Sequence, residues 1–219
     1  MALWIGIVMA AHRFPSEFDW RYMTMSVLLS PRDDPPGRLW AAAGIGLCGL
    51  ALLIWTFELR HVATPRSGAP TRRRIGIWSL RFGSACMIAA GVLPLRLPGL
   101  AKGHELLTLF AFAGLCLGTL CVTLDRVRPV PVDPRDRHVR PRFALSTVLA
   151  AILVAPIVIA GAVQAYVFYA LPTLYWVGLP WRAQRIPVFL SFAFWEWVTC
   201  LVLSVYLVVL GIGDTRLRA

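Results

Sequence analysis

The sequence predicts an all-α integral membrane protein, a bundle of about six transmembrane helices, and three observations carry that expectation. Of the 219 residues, 58% are hydrophobic and only 15% are charged, where a soluble domain holds about 45–50% and about 25%. The apolar residues are gathered into blocks roughly as long as a bilayer is thick. The basic residues fall in the short segments between those blocks, as the positive-inside rule places them.

The first block, about 1–14, opens on the eleven apolar residues MALWIGIVMAA. Eleven residues reach ~16 Å as a helix. No basic residue precedes Arg13, so a secretory signal peptide does not fit and a short spanning helix is expected. An outer segment, 15–38, follows. Ser16 and Asp19, three apart, resemble a helix N-cap arrangement. The stretch FDWRYMTMSVLL is aromatic and amphipathic up to Ser30-Pro31, which predicts a short helix lying in the outer interface.

Spans 39–59, 75–95 and 104–124 have 21 residues each, enough for a ~30 Å hydrocarbon core. Spans 143–171 and 186–212 are longer and must tilt, kink or protrude; Pro156 supplies a kink in the fifth. No linker separates the blocks, so residues 1–219 are expected to form a single transmembrane helical domain.

Arginine fixes the expected orientation. The segments Arg60–Arg74 and Asp125–Arg142 and the C-terminal tail together carry 13 arginines, and the opposite segments carry 8 basic residues. Both termini are therefore expected in the cytoplasm of a multi-pass cell (inner or plasma) membrane protein. The Pro-rich, basic loop RVRPVPVDPRDRHVRPR is expected to run extended near anionic headgroups. The net charge of +11 would suggest nucleic acid in a soluble chain, but its placement beside apolar blocks excludes that partner here. Arginine outnumbers lysine 21 to one, a bias that suggests a GC-rich bacterial coding sequence. The five cysteines all lie in apolar blocks without metal-type spacing and read as small apolar residues.

Ionisable groups inside spans are costly and therefore informative. Glu196, in FWEWV, lies about nine residues into the sixth block, near mid-bilayer. It must be protonated, paired or facing a wet cavity, either as a functional site or as a structural buried pair. His104 is the first-choice partner and Gln164 the second. Arg81, two turns from the cytoplasmic end of its block, can snorkel to headgroups. Glu105, beside His104, suits a helix N-terminus through the macrodipole. The outer side collects His12, Glu17, Asp19, Arg96, His104, Arg182, Gln184 and Arg185. Of these, His12, Asp19, Arg96, Gln184 and Arg185 are the candidate ligand contacts, arginine for phosphate and acids to order the arginine. No HxxxH or HExxH spacing supports zinc, and no Gly-rich phosphate loop, GxSxG elbow or nucleotide motif occurs. No metal or cofactor is expected. Gly114 and Gly118 form a GxxxG in the fourth span, a sign of close helix packing.

The order of these features resembles the prokaryotic membrane-protein family known as domain of unknown function 998, a relative of the eukaryotic DRAM/PGAP-type six-helix proteins. The resemblance rests on Gly91-Val92-Leu93-Pro94, then His104-Glu105-Leu106 with Phe110-Ala111-Phe112, and on Gly178 and Gln184-Arg185 before the last span. It covers most of the chain and departs at the short first helix. It implies six spans and an association with lipid remodelling or distribution, with His104, Gln184 and Arg185 as pattern residues of unknown role.

Three functions follow as expectations. The first is a lipid-handling membrane protein with a polar site open to the extracytoplasmic leaflet, its partners being membrane lipids. The second is an intramembrane enzyme acting on lipid headgroups or acyl bonds, with His104, Glu105 and Glu196 as catalytic candidates. The third is an accessory subunit of a larger complex, or a homo-oligomer. A transporter fits less well, because no inverted repeat is visible.

Overall fold

The computed structural model describes residues 1–30, 36–61, 70–96, 103–127, 139–170 and 187–216. Among them the chain is all-helical, with six α-helices: α1 (Ala2–His12), α2 (Arg38–His61), α3 (Pro70–Arg96), α4 (Gly103–Val127), α5 (Val139–Ala170) and α6 (Phe192–Arg216). Four stretches are long and apolar enough to cross a membrane: Arg38–Leu59, Thr71–Leu93, Leu106–Asp125 and Phe192–Val209. That makes the chain multi-pass by helix length and composition. Helix α1 is an eleven-residue apolar helix, and in α5 the described apolar stretch is Ala151–Val163. Pro156 is buried inside α5, whose helix runs on to Ala170.

Two expectations need correction. The outer segment holds no α-helix among its described residues. A turn at Asp19–Met23, closed by Tyr22 N–H and Met23 N–H donating to the Asp19 carbonyl, is followed by a 3-10 turn at Met25–Leu29. The stretch turns instead of forming an α-helix, because Asp19 satisfies the backbone locally and so competes with a helix. The last helix starts at Phe192, six residues after 186. Pro187 opens a 3-10 turn, Val188–Leu190, and Ser191 is extended at φ −79 and ψ 126, which breaks the apolar run before the helix begins.

Contacts group the described chain into two compact units, Met1–Ser16 with Ser26–Ala150, and Glu17–Met25 with Ala151–Ala219. In the first, α1 lies on α2, α2 on α3 and α3 on α4. Each pair runs antiparallel: Gly49 meets Ser84 and Met87 whereas Gly91 meets Ala42 and Gly46, so one number falls as the other rises. Glycines set the spacing. A Cβ on Gly83 would stand 2.7 Å from Leu115 N and 2.9 Å from Ala111 O. Gly114 faces Gly83 in return, Gly118 faces Gly76, and Gly6 faces Gly44. The GxxxG of α4 thus meets glycines seven apart on α3 and lets the backbones touch. Buried threonine hydroxyls of α4 bond back to their own backbone, as Thr119 Oγ1 does to the Leu115 carbonyl at 2.6 Å and Thr123 Oγ1 to the Thr119 carbonyl at 2.7 Å. The cysteines are free.

Candidate functional site

The second unit holds a polar arrangement between Glu17–Met25 and α6. The segment Glu17–Met25 runs as a strap along the first turns of α6. A backbone outside regular helix leaves N–H and C=O groups without partners, and at a membrane they must find them within the protein. Helix α6 supplies both kinds. Glu196 Oε2 accepts the Met25 N–H at 3.2 Å, and Trp197 Nε1–H donates to the Met23 carbonyl at 2.9 Å. The acceptor and the donor are consecutive on α6 and engage strap residues two apart.

Rings and sulfurs fill the rest of the contact. Phe18 meets Trp197 edge-on at 6.0 Å between centroids, Trp20 lies 6.2 Å from Phe194, and Phe194 in turn is edge-on to Trp195 at 5.3 Å. The Cys200 thiol lies 3.9 Å from the Met25 sulfur, and Met25 is buried. Trp195 Nε1–H donates to the Phe189 carbonyl at 2.7 Å, which ties the preceding 3-10 turn to the helix.

At the other end of the strap, Asp19 is 5% exposed. Its carboxylate is clasped by Arg21, with Nε to Oδ1 at 2.8 Å and Nη2 to Oδ2 at 3.1 Å, and its Oδ1 also accepts the Arg21 N–H at 3.2 Å. Hydrogen bonding to Asp19, and then its charge, raises the Arg21 pKa above its ordinary value. Arg21 and Trp20 are exposed at the rim.

Glu196 is only partly buried and lies four residues past the start of α6, ~6 Å along its axis. It therefore stands nearer the start of its helix than the nine residues counted from the start of the apolar block. Its partner is a backbone N–H, and the side chains proposed for it, His104 and Gln164, lie outside the described residues although their helices are described.

The remaining predicted site residues are dispersed or outside the description. His12 is the exposed last residue of α1. Glu105 follows His104 at the start of α4, and Arg96 ends α3; the side chains of Glu105 and Arg96 lie outside the described residues, as do Gln184 and Arg185 altogether. Among the described residues no three His, Cys, Asp or Glu side chains gather as metal ligands would. Of the candidates, Asp19 and Glu196 belong to the strap and its helix. Reasoning from side chains missed the partners Met23 and Met25, which act through their backbones. The available signal was Trp-Glu-Trp at 195–197, because a buried indole N–H needs an acceptor.

Arg81 is another ionisable group inside a span. Its guanidinium lies 4.3 Å from the Phe57 ring centroid and 5.4 Å from that of Trp78, and Nε donates to Thr56 Oγ1 at 3.3 Å. Arg81 Nη2 is buried without a hydrogen-bond partner, as is the Ser84 hydroxyl one turn on.

Compared with known proteins, the chain matches no family model, no curated protein and no solved structure.

Proposed function

We propose that the protein is a lipid-handling membrane protein that binds lipid at the extracytoplasmic surface, where the strap meets α6. The single observation that supports this most is the rim of that assembly, in which a fixed cation (Arg21 on Asp19) stands beside exposed Trp20 and the ring cluster of α6. Tryptophan and arginine together suit the headgroup level, the ring at the apolar boundary and the guanidinium on a phosphate. The family resemblance points the same way, toward lipid remodelling or distribution. The arginine excess in the sequence segments 60–74 and 125–142 supports the extracytoplasmic placement through the positive-inside rule. The enzyme reading gains nothing from Glu196, whose carboxylate is engaged in holding backbone.

The test extracts the full chain with its surrounding lipid, exchanges it into detergent and measures retained lipid by native mass spectrometry. A stoichiometric lipid should survive the exchange, and Trp20→Ala combined with Arg21→Gln should lower its retention about fivefold. In the same cells, a cysteine at Ser16 should react with an impermeant thiol reagent. Absence of stoichiometric lipid, or retention unchanged in the double variant, overturns the lipid site; an unreactive Ser16→Cys overturns the orientation.

A further inference from the structure

A second feature lies on the first unit. Two adjoining grooves on the surface of α3 and α4 share Trp78 and Ser79. The first, at the start of α3, is lined by Thr71, Arg74 and Ile75 besides the shared pair. The second climbs away from it between Phe82 on α3 and Ala113, Gly114 and Leu117 on α4. One end therefore presents a guanidinium and two hydroxyls, and the other presents carbon.

The helix crossing makes the groove. Gly83 and Gly114 bring the backbones of α3 and α4 together, so the floor is glycine, while Trp78 and Phe82 stand up beside it at 63% and 55% exposure. Phe110, edge-on to Phe82 at 6.2 Å, continues that apolar wall. From Arg74 to Phe82 the groove rises eight residues, ~12 Å along the helix. That is close to the ~15 Å hydrocarbon depth of a single leaflet. A groove close to one leaflet in length, with a cation at one end and an apolar trough at the other, is complementary to one class of molecule.

We infer that this groove binds an anionic glycerophospholipid, with its phosphate on Arg74 and Thr71, its ester region at Ser79 and Trp78, and an acyl chain along Phe82, Ala113 and Leu117. The lipid comes from the leaflet on the arginine-rich side, since Arg72 and Arg73 adjoin the polar end. The inference rests on the chain being a membrane protein and not on the strap site, which lies in the other unit.

The experiment titrates the purified full chain with phosphatidylglycerol or phosphatidylcholine of identical chains and counts bound lipid by native mass spectrometry. Phosphatidylglycerol should bind preferentially. Arg74→Gln should lower its binding about fivefold and remove the preference. Ala113→Phe, which fills the trough at an exposed position and so leaves the core intact, should lower binding of both lipids. Arg72→Gln, outside the lining, should change little. Equal binding by wild type and both lining variants overturns the site. An effect of Arg72→Gln as large as that of Arg74→Gln assigns the attraction to the whole basic segment and overturns it as well. Competition by glycerol phosphate as strong as by the lipid means a free-anion site, and dissociation of a dimer by Ala113→Phe means a helix interface; either overturns the lipid. Loss of binding in these variants with unchanged behaviour of the Trp20→Ala/Arg21→Gln protein separates this site from the strap.

Discussion

Helices α1 to α4 touch backbone to backbone at glycines, whereas α6 is joined to a non-helical segment by rings and by side chains that reach into its backbone. The two modes answer different needs. Between spanning helices there is no hydrophobic force to exploit, since lipid is as apolar as leucine, so contact is won by close approach of small residues. A strap has the opposite difficulty: its own amides and carbonyls need partners, and only large polar-tipped side chains can supply them. The contrast breaks most sharply at Gly83. Gly83→Leu should cost about 3 kcal/mol in unfolding from mixed micelles, at the upper end for overpacking, because the atoms in its way are backbone atoms of α4 and cannot rotate aside. Gly46→Ala, whose Cβ would meet nothing within 4 Å, should instead stabilise by up to about 1 kcal/mol through helix propensity. Equal effects at the two positions would mean that glycine contact does not hold α3 to α4.

The second unit should respond to loss of an acceptor rather than to added bulk. Glu196→Ala leaves the Met25 N–H without its partner, at a cost of about 1–3 kcal/mol. Glu196→Gln keeps a carbonyl oxygen in place and should lose no more than about 1 kcal/mol, the difference between a charged and a neutral acceptor. The same unfolding titration reads both. If glutamine proves as harmful as alanine, the negative charge itself matters and a structural latch is the wrong account of Glu196.

These two regions also differ in how far the sequence discloses them. Spans 39–59, 75–95 and 104–124 lie inside α2, α3 and α4 with only a few residues of extension, because a long apolar run bounded by arginine has one reading in a membrane. The GxxxG of α4 was visible, but its counterparts Gly76 and Gly83 were not, since which face of α3 meets α4 is a tertiary fact. Around α6 local chemistry overrode pattern twice. Asp19 closed a turn where an amphipathic helix was expected, and Pro187 delayed a helix that hydropathy began at 186. That delay places Glu196 four residues from the start of its helix. Its partner is a main-chain N–H, which side-chain patterns do not encode.

Arg81 tests the contrast most finely, because it is a polar side chain on the glycine-packed side. Stacking on Phe57 and Trp78 contributes about 0.5–1 kcal/mol at each ring, and the bond to Thr56 about 0.5–1.5 kcal/mol. Against this stands Nη2, buried with no partner, at about 1–3 kcal/mol. These contributions nearly cancel. Arg81→Met, which keeps length and apolar volume, should therefore change the unfolding free energy by less than about 1 kcal/mol in either direction, well below Glu196→Ala. Arg81→Lys should be the worse of the two replacements, since an ammonium loses the flat stacking on Phe57 and still has to be accommodated within the span. A loss from Arg81→Met as large as that from Glu196→Ala would show that the guanidinium is fully satisfied in the membrane, and α2 and α3 would then be held by polar contact as much as by glycine.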